Sequence, residues 1–341
     1  DIMVAATDGG VYRSTNTGNT FSLLSGEASS GLPAGTSMDI AGHAGAPSVL
    51  YVAVTSGSGR GIFRSADSGE TWTRVSDATL DALMNAGSGT RRTELSVGAA
   101  GQVFVAVVGD NGRLAGVFRS ADGNAPWVDL GVPQTTEQNG VLFGAHPGGQ
   151  GSIHLSIATD PSNPQLVYIG GDRQPYFGEG VSGSSNYFPN SIGAHDYSGR
   201  LFRGDASQPP GSIWTPLTHS GNGNSSSPHA DSRDMAIDAA GNLVESDDGG
   251  VYKRTQPAST AGGWLSLNGN LQSTEYHGIA WDAVSNRVIG GAQDTGTTEL
   301  RSPGSPIFDS VSTGDGGDPV VEDRASTTSS TRYSSYQYLG A

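Results

Sequence analysis

Apolar and polar positions alternate along this chain in short bursts rather than in long stripes. One compound pattern recurs: an apolar strand, a turn, a short strand ending in arginine and serine, a polar turn, then an aromatic residue. It reads "MVAATDGGVYRSTNTGNTFSLLS" over 3–25, "LYVAVTSGSGRGIFRSADSGETWTRVS" over 50–76 and "VFVAVVGDNGRLAGVFRSADGNAPWVDL" over 103–130. Weaker copies follow over 166–217, 242–267 and 287–311, and a last partial one, "TRYSSYQYLG", over 331–340. Short apolar runs bounded by Gly, Asn, Asp and Ser predict strands joined by tight turns. The serines that open the polar turns, Ser14, Ser65 and Ser120, lie 51 and 55 residues apart. A period near 50 with about four short strands per unit predicts a β-propeller. Seven units in 341 residues take roughly 49 residues each. The predicted fold is therefore all-β: a seven-bladed β-propeller of four-stranded antiparallel blades, or six complete blades and a partial one. Residues 78–85, "ATLDALMN", predict one short helix on a connection between blades, with its leucines and Met84 packing.

Composition narrows the classes. Glycine supplies 52 of the 341 residues, about twice the usual ~7%, as a turn-rich chain requires. The absence of cysteine excludes a disulfide scaffold, a thiolate zinc site and a thiol nucleophile. No apolar run approaches the ~18 residues of a membrane span. The formal net charge of −15, with Lys253 as the single lysine, argues against nucleic acid or an anionic membrane as partner, since phosphate contacts need focused positive charge. The nucleophile elbow and the P-loop are missing from the sequence. The sequence opens at Asp1 without a charged n-region and apolar h-region, the first copy opens on a second strand, and the last stops early. These features predict one propeller domain over 1–341, monomeric, drawn from a longer secreted or surface protein.

The polar turns explain their own residues. In "SADSGETW" (65–72) a serine and an aspartate can hydrogen-bond the backbone of their turn, Gly69 supplies a positive φ, and Trp72 offers a large ring for packing between blades. This stretch resembles the Asp-box repeat, S-x-D-x-G-x-T-W, of sialidases, xyloglucanases and sortilin-type propellers. Residues 65–72 match every defined position. Residues 14–21 replace the aspartate by Asn16 and the tryptophan by Phe21; residues 120–127 keep Ser120, Asp122 and Trp127. Further segments, "DDGGVYKRT" (247–255), "LNGNLQSTEYHGIAWD" (267–282), "GGAQDTGT" (290–297) and the stretch 313–340, resemble parts of xyloglucanase-like and sortilin-like propellers. The resemblance implies the propeller and a structural role for the boxes, away from the active face. It does not imply one activity.

With strands lettered A to D outward from the channel, the boxes are C–D turns. The opposite face then carries two long insertions, a B–C loop at 172–198 and a D–A loop at 219–233. Long loops in a compact domain carry function. They offer Asp172, Arg173, Tyr176, Phe177, Glu179, Tyr187, Phe188, His195, Asp196, His219, His229, Asp231 and Arg233. Aromatic rings with arginine and carboxylate suit sugar recognition, since rings stack on sugar faces and charged forks bind hydroxyls. The "HAD" triplet, with His229 and Asp231 two apart, points both side chains one way on an extended segment and offers metal ligands beside His195 or Asp172; hydrogen-bonded loop pinning is the alternative.

The acidic-glycine turns form a second constellation. Asp247, Asp248 and Asp294 can cap turns or bind calcium through oxygen; no cofactor is required. Asp8 in "TDGGVYR" resembles the catalytic aspartate turn of xyloglucanases with one residue deleted, and Asp315 in "TGDGGD" echoes their second. That resemblance implies an inverting glycoside hydrolase built on an aspartate pair. The R-I-P motif that the sialidase family needs is missing, which argues against a sialidase. The sequence thus predicts an extracellular or periplasmic module binding a carbohydrate or other cell-surface ligand on the 172–198 and 219–233 rim. A xyloglucanase-like hydrolase using Asp8 and Asp315, and an adhesive module without a small-ligand site, are the alternatives.

Overall fold

The computed structural model describes residues 1–87, 92–183, 187–271 and 274–336. Residues 184–186 of the long loop, 272–273 of the 267–282 segment and 337–340 of the last partial repeat lie outside the described residues. The chain forms two compact units, one of residues 1–247 with 251–267, the other of residues 248–250 with 268–341.

Among the described residues the first unit holds five antiparallel meanders, each in sequence order, and one small two-stranded hairpin. Sheet I comprises Met3–Thr7, Gly10–Ser14 and Ser22–Leu23. Sheet II comprises Ser37–His43, Ala46–Val54, Gly61–Ser65 and Thr73–Arg74; sheet III comprises Arg92–Val97, Val103–Val108, Leu114–Ser120 and Val128–Asp129. Sheet IV is Ser156–Thr159, Leu166–Arg173, Gly199–Asp205 and Trp214–Pro216, and sheet V is Asp234–Ile237, Leu243–Asp247, Gly250–Arg254 and Trp264–Ser266. The first strands of successive sheets lie side by side, so the sheets follow one another as blades with their first strands innermost.

Sheets II, III and IV each bury both faces against their neighbours. Hence the second strand of sheet III, "VFVAVV", is buried at every position, an uninterrupted apolar run instead of an alternation. Four apolar layers result. Val11, Val54 and Phe63 fill the space between sheets I and II, and Tyr51, Ile62, Val105 and Phe118 that between II and III. Phe104, Ile169, Phe202 and Ile213 fill III–IV, and Tyr168, Leu201 and Leu243 fill IV–V. In sheets II to V, a tryptophan just before or at the start of the last strand closes the layer behind it. Its indole N–H donates to a carbonyl just past the previous blade: Trp127 to Val75 at 2.7 Å, Trp214 to Leu130 at 2.9 Å and Trp264 to Leu217 at 3.0 Å. Trp72 instead bonds the Gly69 carbonyl of its own turn.

The polar turns at Ser14, Ser65 and Ser120 join the last two strands of sheets I, II and III. In the 65–72 turn the Ser65 hydroxyl donates to Asp67 and accepts from the Gly69 N–H at 2.9 Å. The Asp67 carboxylate accepts from the backbone N–H groups of Glu70 and Thr71 and from the Thr71 hydroxyl at 2.6 Å. Burial pulls this carboxyl upward, but the Thr71, Ser65 and Glu70 donors together outweigh it and hold it at about 2. Gly69 sits at φ +79°, where an added Cβ would meet Val4. The predicted helix spans Ala78–Met84; Asp77 caps it, and Leu80 and Met84 are buried.

The second unit contains a further four-stranded meander, Tyr276–Asp282, Arg287–Ala292, Gly296–Leu300 and Phe308–Ser310, and a hairpin of Val320–Glu322 with Thr331–Tyr333. Asp282, fully buried, accepts from Arg332 at 2.8 Å and from the Ser285 hydroxyl at 2.7 Å. Although burial alone raises it, these donors and Ser330 hold its carboxyl well below the usual range.

Candidate functional site

Sheet IV carries both long insertions at one end. The 172–198 loop joins its second and third strands, and the 219–233 loop runs from its fourth strand into sheet V. The register breaks between Gly170 and Arg173, a bulge that re-aims the strand end. Gly171 is required there because its Cβ would fall 1.9 Å from the Ala145 carbonyl. The two loops come together beside this bulge: the N–H groups of Asp231 and Ser232 donate to the carbonyls of Asp172 and Gly171, and that of Gly199 to Pro228.

The floor beneath the rim is a closed polar network. Arg200 is fully buried. It donates to the Phe143 and Gly144 carbonyls, to Gln174 at 3.0 Å and to Thr135 at 2.8 Å. Burial lowers its pKa to about 10, leaving it charged at neutral pH. Gln174, also fully buried, bridges to Gly199, Thr218 and Asn190. Glu137, buried beside a small hairpin of Thr135–Thr136 and Leu142–Phe143, accepts from the Ser191 N–H at 2.8 Å and from the Ser191 hydroxyl at 2.7 Å. These bonds fix the loop from below, so its outer side chains stand on a rigid base.

Those outer side chains are aromatic. Phe177 and Tyr187 sit with ring centroids 5.2 Å apart, and Phe188 and Tyr197 make an edge-to-face pair at the same separation. The Arg173 guanidinium lies 5.1 Å from the Tyr197 centroid and grips Glu179 with two bonds of 2.8 Å. Glu179 also accepts from the Tyr176 N–H. Tyr187 and Tyr197 are 42% and 45% exposed, so each aromatic pair presents one open ring.

The predicted residues therefore separate. Tyr176, Phe177, Tyr187, Phe188 and Arg173 form the outer layer. Asp172 is fully buried, its carboxylate wrapped by the backbone N–H groups of Gln150 and Arg173; burial still pushes it above the ordinary value. His195 and Asp196 are exposed in the last turn of the loop, where Asp196 accepts from the Ser198 N–H. His219 is buried against the Ser198 hydroxyl at 2.8 Å, and burial lowers its pKa. His229 is half-buried and Arg233 exposed. Asp231 pairs with His154 at 3.6 Å. Asp247 ends the second strand of sheet V, buried, with Asp248 following in the turn. Asp8 is exposed in the first turn of sheet I, within the first unit. Asp294 and Asp315 meet in the second unit, where the Asp294 N–H donates to the Asp315 carboxylate at 3.0 Å.

Sequence reasoning missed Tyr197, Gln174, Arg200, Glu137 and His154. Tyr197 lies inside the loop it singled out, whereas Glu137 and His154 arrive from distant segments with no motif to mark them. It also missed an ion cluster on the inner strands. There Asp39 of sheet II accepts from the Leu95 N–H of sheet III at 2.6 Å. Beside it Arg92 donates to Glu94 at 2.6 Å and to the Ile153 carbonyl. Burial first, and then the Asp39 charge, push the Glu94 carboxyl up to about 7.

No protein-family model matches the chain, and no curated protein matches its sequence. Solved structures do. A GH74 enzyme of Niastella koreensis aligns with 93% of this chain and 44% of its own, at 14% identity and a TM-score of 0.56. The GH74 xyloglucanase of Xanthomonas campestris aligns over the same shares at 14% identity and a TM-score of 0.52. The chain thus spans less than half the length of these enzymes. At such identity the likeness shows the fold, and the fold of this chain is a β-propeller.

Proposed function

We propose that this chain is a carbohydrate-binding Asp-box propeller module, of extracellular or periplasmic setting, whose site is the rim built by loops 172–198 and 219–233. The observation that carries the reading is the pair of aromatic couples, each with one open tyrosine ring, seated on a hydrogen-bonded floor. Open rings stack on the apolar faces of sugars, and fixed rings lose little entropy on binding. Arg173 and Glu179 hold each other, so they offer hydroxyl partners at the rim without an unpaired charge. The turns at 14–21, 65–72 and 120–127 lie at the far ends of their blades, in keeping with a structural role for the boxes.

The test is a glycan array read together with a reducing-sugar assay. The expected result is binding without turnover, lost on Tyr197→Ala. Turnover abolished by Asp8→Asn would replace this reading by a hydrolase using Asp8 and Asp315. Binding to no glycan would leave an adhesive role.

A further inference from the structure

Sheet V carries a carboxyl group that the rim does not use. Glu245, in the middle of the second strand, is 1% exposed, and Asp247 two residues on is also buried. Residues two apart on a strand share a face; this is the face that Leu243 lays against sheet IV. The polar neighbours of Glu245 are Ser232 and Asp247. Ser232 is engaged with Ser156 of sheet IV at 2.6 Å. The same two segments are joined one step further along, where His154 meets Asp231 at 3.6 Å. The strand and the loop are held in register by the Arg233 N–H, which donates to the Ser246 carbonyl at 2.8 Å. Glu245, Asp247, Ser232 and Ser156 therefore share one buried polar pocket between sheets IV and V, with the His154–Asp231 pair at its edge.

Neither carboxyl oxygen of Glu245 has a hydrogen-bond partner. The charged group acting on it is another carboxylate, Asp247, and burial with that charge pushes Glu245 well above its ordinary value. A buried carboxylate without a cation is costly. Protonation would remove one charge by sharing a proton between Glu245 and Asp247, whereas a bound cation would neutralise both carboxylates and give the open oxygens of Glu245 a partner.

We infer that Glu245 and Asp247, with the Ser232 hydroxyl, hold a hard divalent cation of the calcium class between sheets IV and V, and that the His154–Asp231 pair borders this site. Carboxylate and hydroxyl oxygens are the ligands such ions take. The site would tie the start of sheet V to sheet IV beside the rim, and it stands whether or not the rim binds a glycan.

The experiment uses the full chain stripped with a chelator, then titrated with calcium chloride, with manganese and zinc chlorides in parallel. One calcium per chain by equilibrium dialysis is expected, with a melting midpoint that rises with calcium concentration, since a ligand of the native state stabilises it. Glu245→Gln should weaken calcium binding by at least about tenfold, while its metal-free form melts no lower than the stripped parent because a neutral amide replaces a repelled charge. Asp231→Asn, at the border of the pocket, keeps the test open should Glu245→Gln fail to fold, and should weaken binding less. A stripped protein that binds no divalent ion overturns the inference in favour of a proton shared by Glu245 and Asp247. Full calcium binding in Glu245→Gln overturns it as well.

Discussion

The inner-strand cluster makes a quantitative prediction about pH. Glu94 stands on the first strand of sheet III, against Asp39 of sheet II, and is raised from its ordinary 4.5 to about 7 by burial and by the Asp39 charge. Between these values the native chain keeps a proton that the unfolded chain has already released. Stability is therefore fully present below pH 4.5 and falls as pH rises through about 7. Over that interval the linkage amounts to about 3 kcal/mol. The Glu94 side chain keeps 20% of its exposure, and screening reduces the effect to about 1–2 kcal/mol. Asp39, raised chiefly by burial, acts in the same direction. Glu94→Gln keeps the acceptor facing Arg92 and removes the titration. Urea unfolding followed by tryptophan fluorescence at pH 4.5, 6 and 8 should find the variant equal to the parent at the lowest pH and more stable at the highest. Parallel curves for the two proteins would refute the reasoning.

Three further substitutions test the blades and the bulge. Asp67→Ala removes an acceptor that serves the Glu70 and Thr71 N–H groups and should cost about 1 kcal/mol at neutral pH; because this carboxyl is held at about 2, the parent's advantage should fade as pH falls below 3.8 toward that value. Trp127→Phe strands the buried Val75 carbonyl and should lower stability by about 2 kcal/mol, read as a shift in the urea midpoint at unchanged slope. Gly171→Ala drives a Cβ into the Ala145 carbonyl and should cost about 2–3 kcal/mol by calorimetry; an unchanged midpoint would mean the bulge is not held against that segment.

What was legible in the sequence follows from range. The strands, the polar turns and the helix at Ala78–Met84 are written in local signals: apolar runs, Ser–Asp–Gly turns, and an Asp77 cap before Thr79 and Leu80. The two long loops could be placed because four strands per repeat fix which connection an insertion occupies. The floor beneath them could not. Arg203 occupies the arginine position of the repeated third strand, as Arg64 and Arg119 do, so Arg200 in "GRLFRG" looked like ordinary strand polarity. Only packing reveals that it is buried against Thr135 and the Phe143 and Gly144 carbonyls. Asp172 was chosen as a rim ligand from its loop position, yet the Gly170–Arg173 bulge turns it inward onto backbone donors. Glu94 and Asp39 lie on different blades, and no sequence pattern couples them.

The rim reading rests on Tyr187 and Tyr197 as open rings on a rigid base. Both are exposed, so their removal should leave the melting midpoint unchanged. The direct measurement is retention of the Tyr187→Ala/Tyr197→Ala double variant on an immobilised oligosaccharide that the parent retains, with melting recorded in parallel. Losing two stacked rings should weaken binding by about tenfold or more at an unchanged midpoint. Equal retention of variant and parent would contradict the account and move the site off this rim.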